Sequence, residues 1–306
     1  MKIFITGATG YIGSNLANAL SKRGHTIMAL ARSEDSANQL RSLNYEVIRG
    51  NVAHPDEWIG LASRAEILVH VAQLRIGKRV GHGWVKKALL ADTLALQGLT
   101  AAAKLNPSTK AIFYTSGISV VGDHASEWVD ESTQPLPGKT IGSYHLETER
   151  RIKERVADGY PFVIIRSSLP VSAAGTFASF FLEQARKGKL QYAGTGNNFW
   201  PTIHMDDLIE GYCMAIEKPP VGETLILSDD NPVTMKEFSE QLMNAFGHTK
   251  TKSASKWLVS LFAGEPLANL LVSSYRVRND KAKRILGWQP RYRTFRESLQ
   301  QVIARN

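Results

Sequence analysis

Thr6-Gly7-Ala8-Thr9-Gly10-Tyr11-Ile12-Gly13 stands between an apolar run, Ile3-Phe4-Ile5, and an apolar helix candidate from Ser14 to Lys22. Glycines at this spacing let a chain turn tightly and bring backbone N–H groups close to a ligand, with no Cβ in the way. Where a strand ends and a helix opens, those amides point at an anion, and the arrangement suits the paired phosphates of a dinucleotide. The context carries the argument, because three glycines without it are more often an ordinary turn. The residue that selects the dinucleotide is expected about 20 positions further on, at the end of the second apolar run. Ala31, Arg32 and Ser33 stand there. An acid would hold the ribose 2′-OH of NAD, whereas an arginine beside a hydroxyl suits the 2′-phosphate of NADP. NADP is therefore favoured. NAD stays open because of Glu34 and Asp35, and Arg32 also has the plain reading of a solvated turn residue.

The elements that must position this loop can be read from apolar periodicity. Strand-like runs occur at Ile3-Phe4-Ile5, Ile27-Met28-Ala29-Leu30, Val47-Ile48, Ile67-Leu68-Val69, Ala111-Ile112-Phe113-Tyr114 and Phe162-Val163-Ile164-Ile165, with helix candidates such as Leu90 to Lys104 between them. Strands that are apolar on both faces and alternate with helices predict an α/β fold, a Rossmann-type doubly wound parallel sheet. Residues 1–170 are expected to form this domain, with a returning strand near 222–228 at Thr224-Leu225-Ile226-Leu227. Residues 171–306 then form a smaller, mostly helical and discontinuous carboxy-terminal substrate domain, in which Phe238, Leu242 and Phe246 recur at helical spacing from Thr234 onward.

The 306 residues carry a formal charge of +9, which favours acidic partners, but the lysines and arginines are spread along the whole chain. With no basic stripe interleaved with aromatics, no nucleic acid partner is expected. A single cysteine, Cys213, excludes an internal disulfide framework, and scattered histidines leave no ligand cluster for a metal. A strand at the very start and no long apolar run predict a cytoplasmic protein without a membrane partner.

The two-residue gap between Gly7 and Gly10 departs from the common dehydrogenase fingerprint. Together with Val69-His70-Val71-Ala72, Tyr114-Thr115-Ser116-Gly117, Ile203-His204-Met205-Asp206-Asp207-Leu208 and Leu286-Gly287-Trp288-Gln289-Pro290, it resembles the extended short-chain dehydrogenase/reductase superfamily, of the NAD-dependent epimerase/dehydratase kind, over nearly the whole chain. The resemblance implies a cofactor site built from Gly7, Thr9, Gly10, Tyr11, Ile12, Gly13, Arg32 and Ser33. Asn51 and Val52 would lie near the adenine, and Val71, Ala72, Gln73, Thr115, Tyr144, Ser168 and Leu169 would complete the site. It also implies a small-molecule substrate and a homodimer formed by the Leu90 to Lys104 helix and the one carrying Tyr144. For Asp206 and Asp207, capping of a helix amino terminus is preferred to catalysis.

Catalysis in the superfamily uses a tyrosine, a lysine four residues later and a serine or threonine. Tyr144 matches the tyrosine, but Thr148 replaces the lysine, and its hydroxyl would reach the cofactor ribose without a charge. Without that cation a phenol near its usual ~10 donates a proton but makes a poor base. Gly117 falls on the serine position, with Ser116 and Ser119 as substitutes, and Ala95 replaces an asparagine. Lys139, His145 and Arg150 are the candidate replacement cations. Where nucleotide-sugar enzymes carry a phosphate-binding arginine stands Trp200, which with Phe177, Phe180 and Phe199 tilts the expectation toward a less charged carbonyl compound; Arg276 and Arg278 are the remaining candidates for an anion. The expected function is an NAD(P)-dependent oxidoreductase or epimerase/dehydratase-like protein acting on a carbonyl or sugar-type substrate, with catalytic candidates Tyr144, Ser116 and Thr148. The alternatives are an NADP-binding sensor or scaffold without catalysis and, less favoured, an RNA-binding relative.

Overall fold

Alternate residues of the apolar runs are buried on opposite faces of one sheet. The computed structural model describes residues 1–77, 79–136 and 138–305. Its sheet contains β1 (Lys2–Thr6), β2 (Thr26–Ala31), β3 (Glu46–Arg49), β4 (Ile67–His70), β5 (Ala111–Gly117), β6 (Phe162–Ser167) and β7 (Thr224–Leu227). All pairings are parallel, in the order β3-β2-β1-β4-β5-β6-β7. Ile3, Ile5, Val69 and Phe113 face one core; Phe4, Leu68, Ile112 and Tyr114 face the other. Burial on both sides explains why the strands read as continuous apolar runs.

The first core is covered by α1 (Tyr11–Lys22), α2 (Glu34–Ser42) and, later in the chain, α5 (Met205–Glu217); the second is covered by α3 (His82–Leu105) and α4 (Ser143–Ala157). Cys213 is buried in the first core. The sheet order reverses between β1 and β4, and the crevice at the carboxyl ends of such strands is where open α/β sheets bind ligands.

A third core gathers Phe177, Phe181, Trp200, Phe238 and Phe295, with Phe238 and Phe295 stacked at 4.5 Å. It is held by α6 (Met235–Asn244), by α8 (Glu265–Val272), against which the short α7 (Lys256–Ala263) is laid, and by α9 (Phe295–Ala304). Capping boxes, Thr234 with Glu237 and Thr294 with Glu297, start α6 and α9.

Three local expectations change. α3 begins at His82, two turns before Leu90, because its cap is Gly81 and no side chain marks the start. α6 ends at Asn244, so Phe246 lies beyond the helix and packs on the third core from a turn. The cap of α5 is His204, whose ring accepts the Asp206 N–H. Asp207 instead accepts the Arg291 and Tyr292 N–H groups at 3.0 and 2.9 Å, while its carbonyl accepts the indole N–H of buried Trp288. The carboxylate thus fastens the terminal motif to α5.

Candidate active site

Gly7 has φ +82°, and a Cβ there would come within 2.6 Å of the Ala72 backbone. At Gly13 a Cβ would stand 2.1 Å from the Gly7 carbonyl oxygen and 2.9 Å from Val71 Cγ2. The glycine turn, the first turn of α1 and the segment after β4 are therefore packed backbone to backbone. Gly10 caps α1 without a side-chain hydrogen bond, so no side chain competes for the amides of that turn. Thr9 and Gly10 are exposed, Tyr11 lies against Gly175, and Ile12 faces the cleft described below. At the end of β2, Arg32 is exposed and makes no ion pair or hydrogen bond among the described residues, whereas Glu34 is paired with Arg41 at 2.7 Å. Ser33 caps α2. The Asn51 carboxamide oxygen accepts the Ala53 N–H, and its carbonyl accepts the indole N–H of Trp58. Val52 packs beside them against the second core.

Beyond the carboxyl ends of β4, β5 and β6 opens a cleft of 170 Å³, whose walls include Ile12, Gln73, Ser119, Tyr144, His145 and Ser168. Tyr144 is almost fully buried, with its ring 4.0 Å from that of His145 and edge-on to Trp84. Burial, and then the negative charge of Asp92, push its phenol well above the usual range. The Thr148 hydroxyl donates to the Tyr144 carbonyl at 3.1 Å and is buried. It braces the helix instead of reaching into the cleft, because α4 turns that position toward the sheet. Ser116 also lies in the wall, but its hydroxyl donates to Glu149 at 2.6 Å; Glu149 receives two bonds from Arg166, and all three residues are buried. Ser119 is the neighbour whose hydroxyl stays over Gly117 and Gly142. The Thr115 hydroxyl is bonded to Tyr212 at 2.7 Å. Ser168 Oγ is buried without a partner among the described residues.

A chain of buried polar groups runs under the cleft. Thr6 bonds His70 Nδ1 at 2.7 Å, His70 Nε2 lies 3.4 Å from Asp92, Asp92 accepts from Tyr114, and the Tyr114 oxygen lies 2.5 Å from His145 Nδ1. Burial alone would raise the Asp92 pKa, but its contacts with His70, His145 and Tyr114 hold it below the usual carboxylate range. An ionised carboxylate only accepts. Tyr114 therefore donates to Asp92, and its oxygen accepts from His145 Nδ1–H. Burial lowers His145 to about 4, so the ring is neutral and its bare Nε2 faces Gln73, 3.5 Å away. His145 consequently supplies no cation to Tyr144. Lys139 is exposed outside the cleft walls, and Arg150 is tied to Glu147 and Glu154 on the outer face of α4.

The cleft shares Ile76, Ile141 and Leu270 with an apolar chamber of 370 Å³ lined also by Leu169, Phe180, Phe181, Ala193 and Trp200. Of the aromatics singled out with Trp200, Phe180 joins it in the wall, Phe177 is packed in the core, and Phe199 lies under the Arg276 guanidinium. Arg276 and Arg278 sit over Trp128, outside both cavities.

Sequence reasoning missed Asp92, Tyr114 and the pair Glu149–Arg166. One signal was available: Asp92 falls on the same helical stripe as Ala88, Ala95, Leu96 and Leu99, where a charge is out of place unless it is partnered.

A model of the NAD dependent epimerase/dehydratase family matches residues 3–227. Among curated proteins, the chain is 26% identical over 251 residues to a 4-hydroxy-2-methyl-3-oxo-4-farnesyl-3,4-dihydroquinoline-1-oxide ketoreductase of Stigmatella aurantiaca, covering 81% of this chain and 74% of that one. It is 23% identical over 321 residues to a 2-alkyl-3-oxoalkanoate reductase of Stenotrophomonas maltophilia, covering 95% of each. Among solved structures, the human epimerase family protein SDR39U1 (isoform 2) with NADPH superposes with a TM-score of 0.82 at 22% identity over 100% of both chains.

Proposed function

This chain belongs to the NAD dependent epimerase/dehydratase family, and on that premise we propose that it is an NADP-dependent reductase of a ketone whose remainder is apolar. The observation that carries the reading is the continuity between the Tyr144 cleft and the apolar chamber through Ile76, Ile141 and Leu270. The glycine turn fits a dinucleotide, since its uncapped helix start stands where any Cβ would fill the cradle. Gly7, Thr9, Gly10, Tyr11, Ile12 and Gly13 would hold the phosphates, and unpaired Arg32 beside Ser33 the 2′-phosphate. Asn51 and Val52 would meet the adenine, with Val71, Ala72, Gln73, Thr115, Ser168 and Leu169 toward the reacting end. When bound, NADPH supplies the hydride.

Tyr144 keeps its proton at neutral pH, because burial and Asp92 disfavour the phenolate. It can release that proton to a substrate oxygen that becomes an alkoxide, a far stronger base than a phenolate. With no lysine at position 148 it serves poorly as a base, so reduction is the favoured direction. Ser119, whose hydroxyl is not spent on Glu149, takes the place of Ser116 in holding the substrate oxygen. Thr148 and His145 position Tyr144 from its carbonyl and its ring. Residues 1–170 with the returning strand would carry the cofactor, and residues 171–306 would supply the chamber. The names of two relatives, which describe reduction of ketones bearing alkyl or farnesyl groups, support this substrate class over a sugar nucleotide. So does Trp200, which offers a diphosphate no positive charge.

The test is NADPH consumption over a series of ketones of increasing alkyl length. Turnover should rise about fourfold in kcat/KM per methylene until the chamber is full, and Tyr144→Phe should lose roughly 10²- to 10⁴-fold in kcat. NADPH binding with no turnover on any ketone would favour a second reading, a dinucleotide sensor, for which the missing lysine speaks.

A further inference from the structure

The helix α7, which forms part of the chamber wall, is turned inside out. Trp257 is 72% exposed, Phe262 70%, Leu261 50% and Leu258 40%. At about 100° per residue these four positions cover one continuous arc of roughly 140°. Val259, on the opposite side, lines the apolar chamber. In a helix lying on a protein in water, the apolar arc normally faces the core. Just before and within α7 stand Lys250, Lys252 and Lys256, all exposed and without an ion pair among the described residues, and positions 247–264 contain no acidic residue. An exposed face of tryptophan, phenylalanine and leucine, in a segment whose only charged side chains are the lysines in and just before its first turn, matches the boundary between anionic headgroups and acyl chains.

We propose that α7 docks this protein on an anionic phospholipid surface, with Trp257, Leu261 and Phe262 entering the acyl boundary and the lysines meeting lipid phosphates. A second copy of the chain is the less suitable occupant, because a two-fold contact between these arcs would bring together two copies of a segment that carries three lysines and no acidic residue. Docking revises the expectation of no membrane partner. No helix among the described residues is long and apolar enough to cross a membrane, and the contact proposed is peripheral. It would lay the outer side of the chamber wall against lipid, the phase in which apolar ketones are stored.

The full chain is sedimented with vesicles of phosphatidylcholine alone and of phosphatidylcholine mixed with phosphatidylglycerol. Binding is expected to the mixed vesicles, to weaken as salt is added, to fall about fivefold for each of the three lysines changed to glutamine, and to fall more than tenfold in Trp257→Ser/Phe262→Ser. Brominated lipid should quench tryptophan emission in the wild type and less in Trp257→Phe, which keeps an apolar side chain. The proposal is overturned if neither vesicle binds, if the serine variant binds as the wild type does, or if that variant converts a dimer to a monomer while vesicle binding is nil, which would assign the arc to a second copy. Vesicle binding needs neither cofactor nor turnover, so its failure leaves the reductase reading standing, and the converse holds.

Discussion

Replacing His145 with asparagine removes a titrating ring while keeping an N–H where Nδ1 donates to the Tyr114 oxygen. In the folded protein burial holds His145 at about 4 instead of a free imidazole's 6.5, against the pull of Asp92 and Glu149 toward the cation and with a push in the same direction from His70. The unfolded chain takes up this proton as pH falls through 6.5, and the folded one does so only near 4. Stability from a neutral His145 is therefore fully present above 6.5 and lost progressively between 6.5 and about 4. Across those roughly 2.5 pH units, at about 1.4 kcal/mol per unit, the loss is roughly 3 kcal/mol. That is a large part of the ~5–15 kcal/mol that holds a typical domain together. Urea unfolding from neutral pH to about pH 4, on the wild type and on His145→Asn, measures it. Groups remote from His145 titrate in both proteins alike, and Asp92, which His145 touches, titrates mainly below this window, so the wild type should lose roughly 3 kcal/mol more than the variant across it. Parallel curves would refute the neutral ring and, with it, the assignment of every proton from Asp92 to Gln73.

Arg32→Ala should weaken NADPH binding roughly tenfold to a hundredfold and leave NADH unchanged, because only one of the two ligands carries the charge that the guanidinium would meet. Calorimetry with both would show it, and equal losses would remove Arg32 from the 2′-phosphate. Glu149→Gln strands the buried Arg166 guanidinium and should cost about 3–5 kcal/mol, most of it recovered when Arg166→Met is added. A urea midpoint for the single variant close to that of the wild type would show that the ion pair does not hold α4.

The sheet was legible because its strands are buried on both faces, so even the returning strand at Thr224–Leu227 stood out as an apolar run. The glycine turn was legible for a different reason: its backbone contacts lie between near neighbours in sequence and a strand end, and they tolerate no side chain. Helix starts capped by glycine, as at Gly81, left no polar marker and were read late. The polar groups under the cleft were hidden by distance along the chain. Asp92 meets His70 and Tyr114, each 22 residues away, and Glu149 meets Arg166, 17 residues away, across separate elements. Periodicity can mark such a charge as misplaced, but only the packed helices reveal its partner. Tyr144 was singled out by the resemblance to the superfamily and lines the cleft, whereas its surroundings were not legible: Thr148 turned inward and Ser116 was claimed by Glu149, both through contacts that no spacing rule encodes.

Glu149 lies on α4 five residues after Tyr144, and its two bonds to Arg166 rivet that helix to β6 while Ser116 joins it from β5. With threonine at 148 in place of a lysine, this buried rivet is what ties the stretch of α4 that carries Tyr144 to the sheet. The height of the phenol above the sheet is thus fixed by contacts made entirely within the protein.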